Sequence, residues 1–229
     1  MDTAQHKARL RQYFDGVGFE RWSAIYGGQA RLSGVRRSIR EGHTTMLGRA
    51  EQWAELPPAG TPATALDAGC GTGLFSLALA RRGFQVAAAD LAPQMAEATA
   101  KAALDAGLSD RITTRVSDLE ELTGSYNLVA CFDVLIHYSA EPFVQMLRHL
   151  ASLCENTLLF TYAPYSPLLA AMHRVGGFFP RSERRTEIQM IHDHTVRATL
   201  ADCGFTKGRA RHVGKGFYHV ILVQARRHA

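Results

Sequence analysis

Two aspartates flank a glycine-rich turn in the first half of the chain, and their spacing indicates a binding site. Residues 63–90 read ATALDAGCGTGLFSLALARRGFQVAAAD, in which one apolar run ends at Asp67 and a second ends at Asp90. Glycines at such a turn let a ligand approach the main chain, because no Cβ intervenes. A carboxylate that ends the second strand can accept hydrogen bonds from both hydroxyls of a ribose. The pattern therefore predicts that the turn holds a nucleoside.

The same residues predict the elements that position this turn. Apolar side chains recur on one face of a helix over 74–82, which Gly83 ends. The apolar runs before the turn and over 84–89 predict two strands. Strand, glycine turn, helix, strand and acid, in that order, form the unit that holds nucleosides in α/β sheets.

The turn itself, G-C-G-T-G preceded by Asp67, closely resembles motif I of class I S-adenosylmethionine (SAM) methyltransferases. This cofactor carries no pyrophosphate, so an acid beside the turn can meet its ammonium group, whereas a dinucleotide site would usually avoid that charge. Met95 would pack near the adenine and Asp118 would bond its amino group, although a core methionine and a helix N-cap fit these two residues equally well. The cofactor contacts implied by the resemblance are Asp67, Gly69, Cys70, Gly71, Gly73, Asp90, Leu91, Met95, Ser117, Asp118, Leu119, Phe132 and Asp133.

Strand and helix patterns continue in alternation after Asp90. The elements are predicted over 94–106, 112–116, 126–132, 141–153, 157–161, 188–203, 205–212 and 216–224. An alternation closed by a hairpin predicts a Rossmann-like α/β fold with a seven-stranded, mostly parallel sheet and one antiparallel strand. The SAM-binding domain is expected over 57–229.

Residues 1–56 precede this domain as an N-terminal helical arm. Helices are predicted over 5–14 and 35–56, and the bend between them carries aromatic residues among glycines. An exposed linker would not usually contain so many aromatic side chains. The bend is expected either to pack on the sheet domain or to form a lid over the ligand, because glycine-hinged loops often close active sites.

Composition narrows the functional classes. The chain has 229 residues, a formal net charge of +5 and a pI of about 9.2. This balance suits an anionic substrate, an anionic membrane surface or nucleic acid, or serves solubility alone. No RNA-binding module is appended, and the loop after the fourth strand lacks the [DNS]-P-P-[YF] pattern of amino methylation, so no nucleic-acid partner is expected. No apolar run approaches the roughly 20 residues of a membrane span, so a cytoplasmic protein is expected.

The cysteines and histidines form no metal-binding pattern. The four cysteines are scattered along the chain and are expected to be reduced, mostly buried small residues. The run His192-Asp193-His194 is interpreted as a helix start, because no second ligand cluster accompanies it. No protein-bound metal is expected.

The acceptor is expected outside the carboxyl ends of the strands, beside the nucleoside. Three segments frame that region: the N-terminal arm, residues 133–138 after the fourth strand, and an insert over 162–187. The insert carries more apolar side chains than an ordinary surface loop, and arginines lie nearby. These features predict a large, flat, apolar acceptor with anionic groups. The alternative is that the insert forms an ordinary helix on the sheet edge.

Several segments together are similar to magnesium protoporphyrin IX O-methyltransferases. They are YFDGVGFERWSAIYG, VRRSIREGH, LDAGCGTGLFSLALARRG, FDVLIHY and FTYAPYSPLLAAMHRVGGFFPRS. The resemblance implies esterification of one propionate of magnesium protoporphyrin IX, a step of bacteriochlorophyll synthesis. It also implies coupling to the large subunit of magnesium chelatase, and at most a peripheral contact with the photosynthetic membrane.

The implied reaction needs orientation more than acid–base chemistry. A propionate has a pKa near that of Glu, about 4.3, so it is ionised at neutral pH and needs no general base. Neutral donors can aim it, and Tyr26 and His137 are the expected catalytic residues, with Tyr138, Phe178 and Arg181 as substrate contacts. Two alternatives remain: an O-methyltransferase of another small aromatic or quinone-precursor substrate with His137 as base, and a non-catalytic SAM-binding protein.

Overall fold

The fold is a mixed sheet with helices on both faces. The computed structural model describes residues 3–20, 22, 33–165 and 188–228. The strands are β1 (Thr64–Ala68), β2 (Gln85–Asp90), β3 (Ile112–Val116), β4 (Tyr126–Cys131), β5 (Cys154–Pro164), β6 (Met190–Ile191), β7 (Phe205–Lys215) and β8 (Tyr218–Arg227). The helices are α1 (Thr3–Tyr13), α2 (Gly34–Trp53), α3 (Leu74–Arg81), α4 (Pro93–Asp105), α5 (Ala140–Ser152) and α6 (Asp193–Asp202), with short helical turns at Phe14–Gly18, Leu119–Glu121 and Leu135–His137.

Seven strands lie side by side in the order β3-β2-β1-β4-β5-β8-β7, and the two-residue β6 pairs with β5. Strands β1 to β5 are mutually parallel, whereas β8 is antiparallel to both of its neighbours. The predicted Rossmann-like sheet with one antiparallel strand is confirmed. The strand order reverses between β1 and β4, and ligands of open α/β sheets bind at the carboxyl ends of the strands beside such a reversal.

The last helix begins later than the sequence pattern predicts. It starts at Asp193 and not at residue 188, because Met190 and Ile191 pair with the end of β5 as β6. The carboxylate of Asp193 lies in the first helical turn, where the helix dipole favours negative charge. It accepts a hydrogen bond from the hydroxyl of Tyr162 at 2.6 Å. The interpretation of residues 192–194 as a helix start agrees with this position.

Two apolar layers cover the faces of the sheet. On one face, α5 buries side chains at the i, i+3, i+4 and i+7 spacing of an amphipathic helix, beginning with Phe143. On the other face, α2 and α3 pack against the strands, with Met46 and Leu79 fully buried. All four cysteines are free thiols and three of them are buried, as expected. Within the described ranges, no helix combines the length and the apolar character needed to cross a membrane.

The second helix of the N-terminal arm is fixed on the sheet domain. The side-chain amide of Gln224 donates to the carbonyl of Trp53 at 2.9 Å. The guanidinium of Arg82 donates to the carbonyls of Glu51 and Ala54 at 2.9 and 2.7 Å. These bonds join the end of α2 to β8 and to the end of α3. The orientation of α2 therefore decides which of its side chains face the ligand crevice.

Candidate active site

The glycine turn after β1 borders a cavity of about 320 Å³. Gly69 and Gly71 have φ angles of 82° and 55°, in the left-handed region that glycine adopts without strain. A Cβ on Gly69 would lie 2.2 Å from Cγ2 of Val134, so glycine alone fits beside the segment after β4. The amides of Gly69 and Cys70 donate to the carbonyl of Ala89 at 2.7 and 3.0 Å. These bonds fix the turn against β2.

Asp90 ends β2 with both carboxylate oxygens held by the backbone. The amide of Gly71 donates to Oδ2 and the amide of Ala92 donates to Oδ1, each at 2.9 Å. Burial raises the pKa of this carboxyl, and the backbone hydrogen bonds partly offset that effect. Each oxygen keeps a further acceptor position, so the side chain can serve as the ribose acceptor that the sequence predicts.

Asp67 lies in the wall of the same cavity, with 2% of its surface exposed. The hydroxyl of Ser76 donates to Oδ2 at 2.5 Å. Burial raises the pKa of Asp67 to about 6 despite this bond. A carboxylate that is poorly solvated is stabilised by a nearby cation. Asp67 therefore suits an ammonium or sulfonium group as its partner.

Three predicted cofactor residues have mainly structural surroundings. Cys70 is 7% exposed, and burial raises the pKa of its thiol well above the usual range, so it stays protonated. Gly73 caps the start of α3, and the amide of Ser117 donates to the carbonyl of Asp90 at 2.9 Å. Cys70 lines the cavity, whereas Gly73 and Ser117 are not among its lining residues.

The carboxyl ends of β2 and β3 form a second part of the wall. Leu91, Met95 and Leu119 line it, and Met95 is 2% exposed. Asp118 lines it as well, and its Oδ2 lies 2.9 Å from Nζ of Lys7 in α1. Asp118 occupies the N-cap position of a single-turn helix, but its side chain makes no capping bond. The helix-cap alternative for Asp118 therefore gains no support.

The segment after β4 brings the acceptor-side residues into the same cavity. Phe132, His137 and Tyr138 line it, with 7%, 6% and 3% of their surfaces exposed. Residues of the arm cover them. His6 donates from Nε2 to the carbonyl of His137 at 2.8 Å, and the rings of Phe14 and His137 lie 5.6 Å apart. Burial raises the pKa of the Tyr138 phenol, so this side chain remains a proton donor at neutral pH.

Most of the residues singled out from the sequence meet around this cavity. Tyr26, Phe178 and Arg181 lie outside the described residues, and their roles stay predictions. The predicted residues that line the cavity are Asp67, Gly69, Cys70, Gly71, Asp90, Leu91, Met95, Asp118, Leu119, Phe132, Asp133, His137 and Tyr138.

Comparison with known proteins identifies the family. A family model described as a methyltransferase domain matches residues 65–157, and one described as the magnesium-protoporphyrin IX methyltransferase C-terminus matches residues 131–227. The magnesium-protoporphyrin O-methyltransferase of Synechocystis is 33% identical over 220 residues, which are 96% of this chain and 95% of that protein. The chain belongs to the magnesium-protoporphyrin O-methyltransferase family.

Other members of the family agree with this assignment. The magnesium-protoporphyrin O-methyltransferase of Rhodobacter capsulatus is 33% identical over 95% of each chain. The crystal structure of the Synechocystis enzyme with bound S-adenosylhomocysteine has a TM-score of 0.85 and 32% identity, over 97% of this chain and 100% of that one. The class I SAM-dependent methyltransferase fold predicted from the sequence is therefore confirmed.

The cavity of this magnesium-protoporphyrin O-methyltransferase homologue suits a positively charged cofactor. Four carboxylates line it, those of Asp67, Asp90, Asp118 and Asp133, and its described wall contains no lysine or arginine. Such a wall attracts the sulfonium and ammonium groups of SAM. The part of the chain that the structure describes contains no group of three or more His, Cys, Asp or Glu side chains able to hold a metal ion.

Several side chains in this family member's cavity were not predicted from the sequence, among them His43 and Tyr218. His43 lines the cavity from α2, together with Ile39 and Leu47 at four-residue spacing, and Tyr218 lines it from the start of β8. The helical spacing in α2 was visible in the sequence. Which face of α2 lies towards the cavity depends on the contact between Gly42 and Tyr218, two residues that are far apart in the sequence.

Proposed function

We propose that this enzyme transfers a methyl group from SAM to one propionate carboxylate of magnesium protoporphyrin IX, giving the monomethyl ester. One observation carries the proposal. A single cavity joins an anionic wall, around Asp67 and Asp90, to an apolar wall that contains His137 and Tyr138. Family membership over almost the whole chain supports the same substrate. The reaction belongs to chlorophyll or bacteriochlorophyll biosynthesis.

The proposed reaction requires no general base. SAM supplies an electrophilic methyl group on a sulfonium sulfur, and the sulfur leaves as a neutral thioether. The propionate is ionised at neutral pH, because its pKa lies near that of Glu, about 4.3. An oxygen electron pair forms the new O–C bond, the C–S pair stays with sulfur, and no proton moves. The contribution of the protein is therefore position and exclusion of water.

The described residues that line the cavity can both position the acceptor and exclude water. Opposite charges disappear as the carboxylate meets the methyl group, so water would stabilise the reactants more than the transition state. Apolar side chains such as Leu10, Phe75 and Ile136 line the cavity and exclude water. Tyr138 keeps its proton and can donate a hydrogen bond to the acceptor without neutralising it. His137 stands beside it as the second orienting group.

We propose that the porphyrin arrives from the large subunit of magnesium chelatase, and that any contact with the photosynthetic membrane is peripheral. The macrocycle is apolar and poorly soluble, so direct transfer between proteins would keep it out of water. Arg36, Arg37 and Arg40 are exposed on the first turns of α2 and supply positive charge for an anionic surface. Binding of the purified subunit, and sedimentation with anionic vesicles at two salt concentrations, test the two contacts separately.

Incubation with methyl-labelled SAM tests the reaction. Label should enter magnesium protoporphyrin IX as one ester per molecule, faster than it enters metal-free protoporphyrin or a phenolic quinone precursor. Preferred labelling of the quinone precursor would support the alternative acceptor, with His137 as base. SAM binding without transfer to any acceptor would make the chain a non-catalytic binding protein.

A further inference from the structure

Asp133 is held in an unusual backbone conformation where the acceptor-side segment begins. Its φ is 57°, and no other non-glycine residue in the described ranges has a positive φ. Aspartate tolerates this region because its short side chain can bond locally, but the conformation persists only where the surroundings enforce it. Thr161 supplies one restraint. The amide of Asp133 donates to Oγ1 of Thr161 at 2.7 Å, and that hydroxyl donates to Oδ1 of Asp133 at 3.1 Å.

Tyr218 supplies a second restraint from the start of β8. Its hydroxyl donates to the Asp133 carboxylate and lies 3.1 Å from Oδ1 and 2.9 Å from Oδ2. Hydrogen bonds to an ionised acceptor are roughly twice as strong as neutral ones. The ring packs on α2, where a Cβ added at Gly42 would lie 2.4 Å from Cδ1 of Tyr218. The phenol of Tyr218 is therefore held between α2 and the carboxylate of Asp133.

The nearby imidazole does not take the place of this bond. Nε2 of His43 lies 3.9 Å from Oδ2 of Asp133, which exceeds hydrogen-bond distance. Burial lowers the pKa of His43 and favours the uncharged ring, although the charge of Asp133 acts in the opposite direction. The hydroxyl groups of Tyr218 and Thr161 are thus the close donors to this carboxylate in the described structure.

We propose that Tyr218 is a positioning residue for methyl transfer. Its hydroxyl fixes Asp133, and Asp133 fixes the start of the turn whose end carries His137 and Tyr138. Val134 in the same turn packs against the glycine turn of the cofactor side, so the carboxylate sets the two sides relative to each other. This inference rests on the proposed function, in which His137 and Tyr138 orient the acceptor.

The variant Tyr218→Phe removes the hydroxyl alone. At saturating SAM and magnesium protoporphyrin IX, we expect kcat to fall about 10- to 100-fold, the range that a misplacement near 1 Å produces. The affinity for SAM should change less than about threefold, because Tyr218→Phe leaves the charges of Asp67, Asp90 and Asp133 in place. Tyr162→Phe is the matched control. Its hydroxyl also donates to a carboxylate, that of Asp193, but Tyr162 does not line the cavity, so kcat should be unaffected.

A double-mutant cycle separates positioning from a general loss of stability. Asp133→Asn keeps a residue that tolerates a left-handed φ but weakens the bond to Tyr218. Tyr218→Phe should lower kcat much less in the Asp133→Asn background than in the wild type, because both changes affect one interaction. Equal reductions in the two backgrounds would overturn the proposal. So would wild-type kcat in a folded Tyr218→Phe variant, or an unchanged kcat with SAM affinity about tenfold weaker.

The wild-type assay keeps this inference distinct from the proposed function. If the wild type forms no porphyrin ester, the proposed function fails. If the wild type is active and Tyr218→Phe is equally active, the positioning role alone fails. Thermal unfolding and SAM calorimetry establish that each variant is folded before its kinetics are compared.

Discussion

At the residue scale, the ionisation of the Asp67 carboxyl group is linked to the binding of SAM. Burial raises its pKa to about 6, so the ligand-free enzyme increasingly protonates it below that pH. A cation binds the ionised form better. We predict that SAM affinity falls as the pH is lowered through about 6, approaching tenfold per pH unit at the acid end. Calorimetry across this range measures the effect.

Asp67→Asn is the control for that pH dependence, because an amide does not titrate. The variant should bind SAM more weakly at neutral pH, and its affinity should not fall as the pH is lowered through about 6. An identical pH dependence of SAM binding in wild type and variant would refute the assignment.

The raised pKa of Asp67 has a second consequence, for the stability of the ligand-free enzyme. The folded state binds the proton of Asp67 more tightly than the unfolded state does. The free energy of unfolding should therefore decrease as the pH rises through about 6 and Asp67 ionises.

Variants of His137 distinguish a role in orienting the acceptor carboxylate from a role as a general base. We predict that His137→Ala lowers turnover about 10- to 1,000-fold, within the range of positioning errors. His137→Asn and His137→Gln keep a donor but cannot act as a base, so they should recover much of the lost rate. Single-turnover assays at saturating SAM measure this. No recovery in either amide variant, with folding and SAM binding intact, would favour a general base and the quinone-precursor acceptor.

The site residues that were predicted lie close together in the sequence, whereas those that were missed contact residues far along the chain. Asp67, Gly69 and Asp90 fall within one strand–turn–helix–strand unit, so local spacing was enough to predict them. Tyr218 bonds to a residue 85 positions earlier. No local pattern marks a tyrosine at the start of a strand as part of a cavity wall. The position of Tyr218 follows from the pairing of β8 with β5, which only the assembled sheet specifies.

At the scale of elements, helix α1 is attached to both sides of the cavity. Lys7 pairs with Asp118 on the cofactor side, and His6 donates to the carbonyl of His137 on the acceptor side. Elements held by few buried contacts open locally more often than core helices do. We predict that hydrogen exchange in residues 3–20 slows when SAM or the product binds, as a lid requires.

Lys7→Ala tests how α1 is attached. The variant should exchange faster over α1 in the ligand-free enzyme, because the ion pair to Asp118 is lost. Lys101→Ala is the matched control, since its exposed pair with Asp105 on α4 contributes little to stability. Exchange rates in α1 that are equal with and without ligand would make this helix a fixed cap.

Element boundaries show where sequence patterns were sufficient. The apolar runs predicted the bounds of β2, β3 and β4 to within one residue, whereas β5 extends three residues further at each end than predicted. Helix α6 begins five residues later than predicted, because Met190 and Ile191 pair with β5. An apolar pair before a helix looks like a further helical turn in sequence. Whether Met190 and Ile191 extend the helix or pair with β5 depends on the tertiary structure, and local sequence does not specify it.

At the scale of the whole molecule, one close contact joins the N-terminal arm to the last strand. A Cβ at Gly42 would lie 2.4 Å from the ring of Tyr218, so we predict that Gly42→Ala lowers the free energy of unfolding by about 1–3 kcal/mol. Gly48→Ala on the same helix meets nothing within 4 Å and should raise it by about 0.5–1 kcal/mol. Urea titrations compare the two variants. A Gly42→Ala protein as stable as Gly48→Ala would show that α2 does not depend on this contact.

The position of β8 between β5 and β7 also has a consequence for synthesis on the ribosome. Strand β7 emerges before β8, the neighbour that connects it to the rest of the sheet. Until β8 is synthesised, the backbone of β7 has no neighbouring strand, and unpaired strand edges tend to associate with other chains. The glycine turn and the segment with His137 and Tyr138 are synthesised earlier, whereas Tyr218 comes with the last strand. A nascent chain that stalls before β8 therefore lacks the hydroxyl of Tyr218 that bonds to Asp133, although the glycine turn, His137 and Tyr138 are already present.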